Sequence, residues 1–98
     1  MSQQKVVLAL DKTLTKLAGN QFGRKLFETQ IQDVIDLDKP FVIEIPEQVD
    51  YLATSFVQGF FGEIYKKIGP DGIDKNLNII ARSIQNAKES IMDKLMIM

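Results

Sequence analysis

The sequence contains neither histidine nor cysteine. That removes the imidazole base, the thiolate nucleophile, the disulfide framework and the usual zinc ligands together, so Ser-His-Asp and Cys-His mechanisms are excluded. Carboxylates, lysines, hydroxyls and backbone amides are what is left for chemistry. An excess of one charge is also lacking: twelve basic and thirteen acidic side chains leave a formal net charge of -1, and neither sign forms a block. The nearest approach to a basic patch, Lys66 and Lys67, reads as the solvated side of a helix, so no nucleic-acid partner is expected. Long apolar runs are missing as well. None approaches the ~20 residues of a membrane-spanning helix, and the opening Met1-Ser2-Gln3-Gln4-Lys5 has no apolar segment of the secretory kind. The expectation is a cytoplasmic protein without a membrane partner. Finally, no Gly-x-Gly-x-x-Gly and no Gly-Lys-Ser or Gly-Lys-Thr occurs, so Gly19 and Gly23 near a helix start do not make a nucleotide-binding loop, and no cofactor is expected.

What is present is ordinary for a folded domain. The 98 residues are 45% hydrophobic and 26% charged, enough for one core and one domain. Lys5 to Leu10 is a short valine-rich run that reads as a strand, and Asp11 to Ala18 alternates weakly, as an edge strand or a loop. Asn20 stands where a helix cap belongs. From there Phe22, Leu26, Phe27, Ile31, Val34 and Ile35 recur at helical spacing as far as Leu37, before the Asp38-Lys39-Pro40 break. Phe41 to Ile45, closed by Pro46, has the continuous apolar character of a central strand covered on both faces. Phe56, Val57, Phe60, Phe61, Ile64, Tyr65 and Ile68 predict a second helix, with Thr54 and Ser55 at its cap and Gly69-Pro70-Asp71-Gly72 stopping it. Leu77 to Ala81 is a further strand. Ser83 opens a last helix with Ile84, Ala87, Ile91 and Leu95 on its inner side. Strands and helices alternate as βαβαβα, which predicts an α/β domain: a small, three- to four-stranded, mostly parallel sheet with three helices.

Several groups carry a choice between structure and function. Asp33, Asp36 and Asp38 gather at the end of the first helix, but they lack the twelve-residue calcium loop and its closing Glu, so no metal site is expected. Gly59 and Gly62 each cost about 1 kcal/mol relative to alanine inside a helix. With Ser55 they form a face that lets a neighbouring element, or an external partner, approach the backbone closely. Thr54 and Ser55 are hydroxyls at a helix start, where a phosphate would meet the positive end of the dipole, and they are the candidate phosphorylation positions. Thr54, Ser55, Gly59 and Gly62 together form the candidate partner-binding set. Met92, Met96, Ile97 and Met98 end the chain with more apolar surface than one helix face needs, whether as core filling, a frayed end, or a homodimer or partner contact.

Gly19 to Leu26 opening the first helix, Phe41 to Ile45 as strand, and Ala53 to Phe56 with Gly59 to Gly62 in the second helix resemble the STAS-like domains of bacteria and phages. These are relatives of the sulphate-transporter and anti-sigma-factor-antagonist fold. The resemblance covers about Gly19 to Met96. It implies a non-enzymatic protein-binding module, paired with a kinase-like or anti-sigma-like ATP-binding protein that phosphorylates a serine at the start of the second helix. The matching position is Ser55, with Thr54 beside it. Where the better-known antagonists carry Asp-Ser-Ser-Gly, this chain reads Ala53-Thr54-Ser55-Phe56. Two further readings remain: a phage-type inhibitor of a host enzyme, and a small enzyme or ligand-binding domain using carboxylates.

Overall fold

The computed structural model describes residues 4–97; Met1, Ser2 and Gln3 of the opening segment and Met98 of the apolar chain end lie outside the described residues. In chain order the elements are β1 (Gln4–Val7), β2 (Lys16–Leu17), α1 (Asn20–Leu26) continued by one π-helical turn (Phe27–Ile31), β3 (Phe41–Ile45), β4 (Tyr51–Leu52), α2 (Thr54–Asn76), β5 (Leu77–Ala81) and α3 (Ala87–Met96). The α/β class is as the alternation requires. β1, β3 and β5 form a parallel sheet in that order with β3 at its centre, and β2 pairs in parallel with β4 in a second, two-stranded sheet.

Crossovers of one hand that advance steadily across a sheet lay their helices on the same face. Accordingly α1 packs on α2 and α2 on α3, and the three helices form one layer. Phe41, Ile43 and Ile45 of β3 and Leu77 of β5 point into that layer and join Phe27, Ile31, Phe56, Phe60, Phe61 and Ile64 in a single core. Four phenylalanines form its centre: the Phe60 ring stacks on Phe56 at 5.5 Å and meets Phe61 edge-on at 4.7 Å and Phe27 at 6.4 Å. Truncating one such ring to alanine removes about 3–5 kcal/mol.

The opposite side of the sheet corrects one expectation. Register places Lys5, Val42 and Asn78 in one row and Val7, Glu44 and Ile80 in the next, and among the described residues no helix lies over them. Lys5 pairs with Glu44 at 3.0 Å, Val7 is 53% exposed and Asn78 is exposed. β3 is central but covered by helices on one face only; Val42 is buried, yet lies outside the main hydrophobic cluster.

Other departures have local causes. The first helix does not reach Leu37 in α-helical form. Gln32 N–H donates to the Phe27 carbonyl five residues back at 2.9 Å, and this wider turn shifts the apolar phase. Ile31 and Ile35 stay buried while Val34 turns outward, 63% exposed. Asn20 is not a cap: Gly19 takes that position with φ 102, and Asn20 Oδ1 accepts from Arg24 Nη2. The weakly alternating Asp11 to Ala18 yields only the two-residue β2. Gly69 (φ 72, ψ 176) breaks α2, but Pro70 restarts it as far as Asn76, a use of proline in a first turn where its missing N–H costs nothing. The last helix begins at Ala87, not Ser83; Ser83 lies in the preceding turn, its hydroxyl donating to the Glu47 carbonyl.

Candidate functional site

Two short strands bring two helix starts together. β2 runs directly into Gly19 and α1, β4 runs directly into Ala53 and α2, and the two strands pair in parallel, Lys16 with Tyr51 and Leu17 with Leu52. The pairing is extended by backbone bonds on both sides, Asp50 N–H to the Thr15 carbonyl and Ala53 N–H to the Leu17 carbonyl, each 2.8 Å. A Lys16–Asp50 ion pair at 3.1 Å lies beside it, exposed to water and so contributing little. Both helices must therefore begin at the same end of the domain.

Ser55 joins them. Its Oγ accepts the Gly19 N–H at 2.9 Å, holding the turn into α1 against the first turn of α2, and the residue is exposed. Neither it nor Thr54 caps α2: both are already helical, Ala53 occupies the cap position, and no side chain closes that end. Thr54 is half-buried. The first turns of α1 and α2 carry no acidic residue, so no carboxylate within either turn opposes the positive end of its helix dipole.

The glycines of the candidate set are placed differently. Gly59 is buried where α2 crosses α1: an added Cβ there would lie 2.1 Å from the Asn20 carbonyl oxygen, and one on Gly23 would lie 2.6 Å from the Phe56 carbonyl oxygen. Gly23 and Gly59 thus form the crossing point, and the close approach they permit is made by the domain's own first helix. Gly62 is buried too. The partner surface expected at Gly59 and Gly62 is corrected by this burial, and the exposed part of the set is Ser55 with the edge of Thr54.

Residues the sequence reading passed over complete the surface. Tyr51, in β4, is 50% exposed. Lys94 of α3 donates from Nζ to the Leu52 carbonyl at 2.7 Å and to Ser90 Oγ at 3.3 Å, and lies 5.4 Å from the Tyr51 ring centroid. It ties the end of α3 to the junction of β4 and α2 and holds a cation over the tyrosine face. A two-residue strand has no period to read, so nothing in the local sequence marked it.

The remaining candidates do not converge on this surface. Asp36 Oδ1 accepts the Asp38 N–H at 3.0 Å in a local turn, and Asp33 is exposed on the preceding one. Hollows of about 530 and 510 Å³ lie along α3, and neither is lined by Thr54 or Ser55. The Asp11 carboxylate accepts the N–H of Thr13 at 2.9 Å and the Thr13 hydroxyl at 2.7 Å, and these bonds hold its pKa below the usual 3.8. It stabilises a turn ahead of β2. No family model, curated protein or solved structure matches the chain.

Proposed function

We propose that this chain is a non-enzymatic regulatory or adaptor domain that binds a protein partner through the paired starts of α1 and α2, with Tyr51, Thr54 and Ser55 as the contact and Ser55 as the modified residue. The observation that carries this reading is the exposed Ser55 hydroxyl bonded to Gly19 N–H at the meeting of two helix starts. A phosphate on that oxygen adds close to two negative charges where two dipoles and several first-turn amides offer positive potential, so the modified serine is stabilised in place while the surface changes from neutral to anionic. Tyr51 supplies an aromatic anchor of the kind that dominates interface energetics, and Lys94 holds its ring from behind.

The resemblance to STAS-like domains supports the same choice of partner, a kinase-like ATP-binding protein acting on a serine at this end of the second helix. The test is affinity capture from the native cell with wild type, Ser55→Glu, Tyr51→Ala and, as a control on an exposed helix position, Lys67→Ala, followed by intact-mass measurement of the bait. The reading requires a protein retained by wild type and Lys67→Ala and lost from Ser55→Glu and Tyr51→Ala. Retention by all four places the partner surface elsewhere.

A further inference from the structure

The two edges of the main sheet are built differently. β1 carries Lys5, an ordinary way to discourage pairing, whereas β5 reads Leu77, Asn78, Ile79, Ile80 and Ala81 with no charge, proline or bulge. Leu77 N–H is used by the end of α2, donating to the Ile73 carbonyl. Among the described residues no hydrogen bond from outside the sheet reaches the backbone of Asn78, Ile79 or Ile80. Beside the strand a groove of about 440 Å³ opens toward the start of α3, lined by Ile79, Ala81, Ile84 and Ala87 together with Lys88 and Glu89. An open strand edge next to a groove bounded by a helix is the geometry of strand addition, in which main-chain bonds supply affinity and alternate side chains fill the groove.

We propose that the occupant is a second copy of this chain, its β5 antiparallel to this one, so that two three-stranded sheets join into one of six. Two observations select a copy of itself. Pairing about Ile79 sets Leu77 opposite Ala81 and Asn78 opposite Ile80, which keeps the helix-side residues on the helix side in both copies and brings no charge into the ladder. Charge at the ends is complementary only in this direction. Asp71, Asp74 and Lys75 precede the strand and Arg82 follows it, all exposed. An antiparallel copy brings each Arg82 to the acidic end of the other strand, whereas a parallel one sets Arg82 beside Arg82. The interface is separate from the Ser55 surface and stands or falls independently of it.

Sedimentation equilibrium of the full chain tests this with charge placed in the ladder. Asn78 is exposed and Ile80 half-buried on the open face of the sheet, away from the core. In the Asn78→Lys, Ile80→Lys double variant each lysine faces a lysine of the other copy, and the dimer dissociation constant is expected to rise about tenfold or more. In the Asn78→Lys, Ile80→Glu variant the same register sets lysine against glutamate and restores association. A wild type that stays monomeric at every attainable concentration, a double-lysine variant that dimerises as wild type does, or a lysine-glutamate variant no tighter than the double lysine overturns the proposal. Hydrogen exchange on the unmutated chain gives a second reading independent of variant folding: protection of the β5 amides is expected to rise with protein concentration, and protection independent of concentration contradicts the pairing.

Discussion

Replacing Gly59 by alanine adds one methyl group at the point where α2 meets α1. Its position would be 2.1 Å from the Asn20 carbonyl oxygen and 2.8 Å from the carbonyl carbon, against an ordinary contact of 3.4 Å or more. Both obstacles are backbone, so no rotamer change relieves them, and the two helices must separate by more than about 1 Å over a core that is otherwise filled. Overpacking of this kind costs about 1–3 kcal/mol, and an unyielding backbone neighbour argues for the upper end. Alanine returns about 1 kcal/mol through its better helix propensity. The balance is a loss of about 2 kcal/mol, which for a domain of this size lowers the melting temperature by roughly 10 °C. Thermal unfolding followed by circular dichroism measures it, with Lys67→Ala, exposed on the same helix, expected within about 0.5 kcal/mol of wild type. A Gly59→Ala protein that melts at or above the wild-type temperature refutes the close crossing. It would mean that helix propensity outweighs a contact that does not exist.

Gly69→Ala is a different experiment, because nothing lies within 4 Å of an added Cβ there and only φ 72 with ψ 176 resists it; a loss of about 1–3 kcal/mol is expected in chemical denaturation, from backbone strain alone. Lys94→Met keeps the aliphatic stem but removes the bond to the Leu52 carbonyl and the cation over Tyr51; a loss of about 1–2 kcal/mol, with faster hydrogen exchange at the start of α2, is expected. Asp11 titrates below its ordinary value. A group whose folded pKa is depressed contributes stability above the unfolded value and loses it as pH falls through the folded one, so the Asp11 turn is expected to hold at neutral pH and to open only in acid below 3.8. Carboxyl chemical shifts follow that titration, and Thr13→Val is expected to move its midpoint back toward 3.8.

The elements written most plainly in the sequence are those whose pattern is fixed by burial. Phe41 to Ile45, bounded by Pro40 and Pro46, and Leu77 to Ala81 are strands with the limits their apolar runs indicate. The stripe of Phe56, Val57, Phe60, Phe61 and Ile64 is buried on α2. What the pattern did not carry was decided by partners distant in sequence. The openness of one sheet face depends on Lys5 and Glu44 standing in adjacent strands, and the alternation of Val42 with Glu44 reads as polar only once Lys5 is beside it. β2 and β4 are two residues each, held by pairing across more than thirty residues of chain, and no local period marks them. Ser55 departs from local expectation for the same reason. A hydroxyl at a helix start suggests a cap, but Gly19 supplies a donor from elsewhere; of the two approaches Gly59 could allow, a neighbouring element or an external partner, it is the neighbouring α1, through Asn20 and Gly23, that makes it.

Chemical-shift mapping of the isotopically labelled domain against the protein captured by wild type and released by Ser55→Glu addresses the surface itself. Perturbations concentrated at Gly19, Tyr51, Thr54 and Ser55 are the expected result. Perturbations confined to β5 and the outer side of α3, with those four amides unmoved, would contradict the assignment of the helix starts as the docking point.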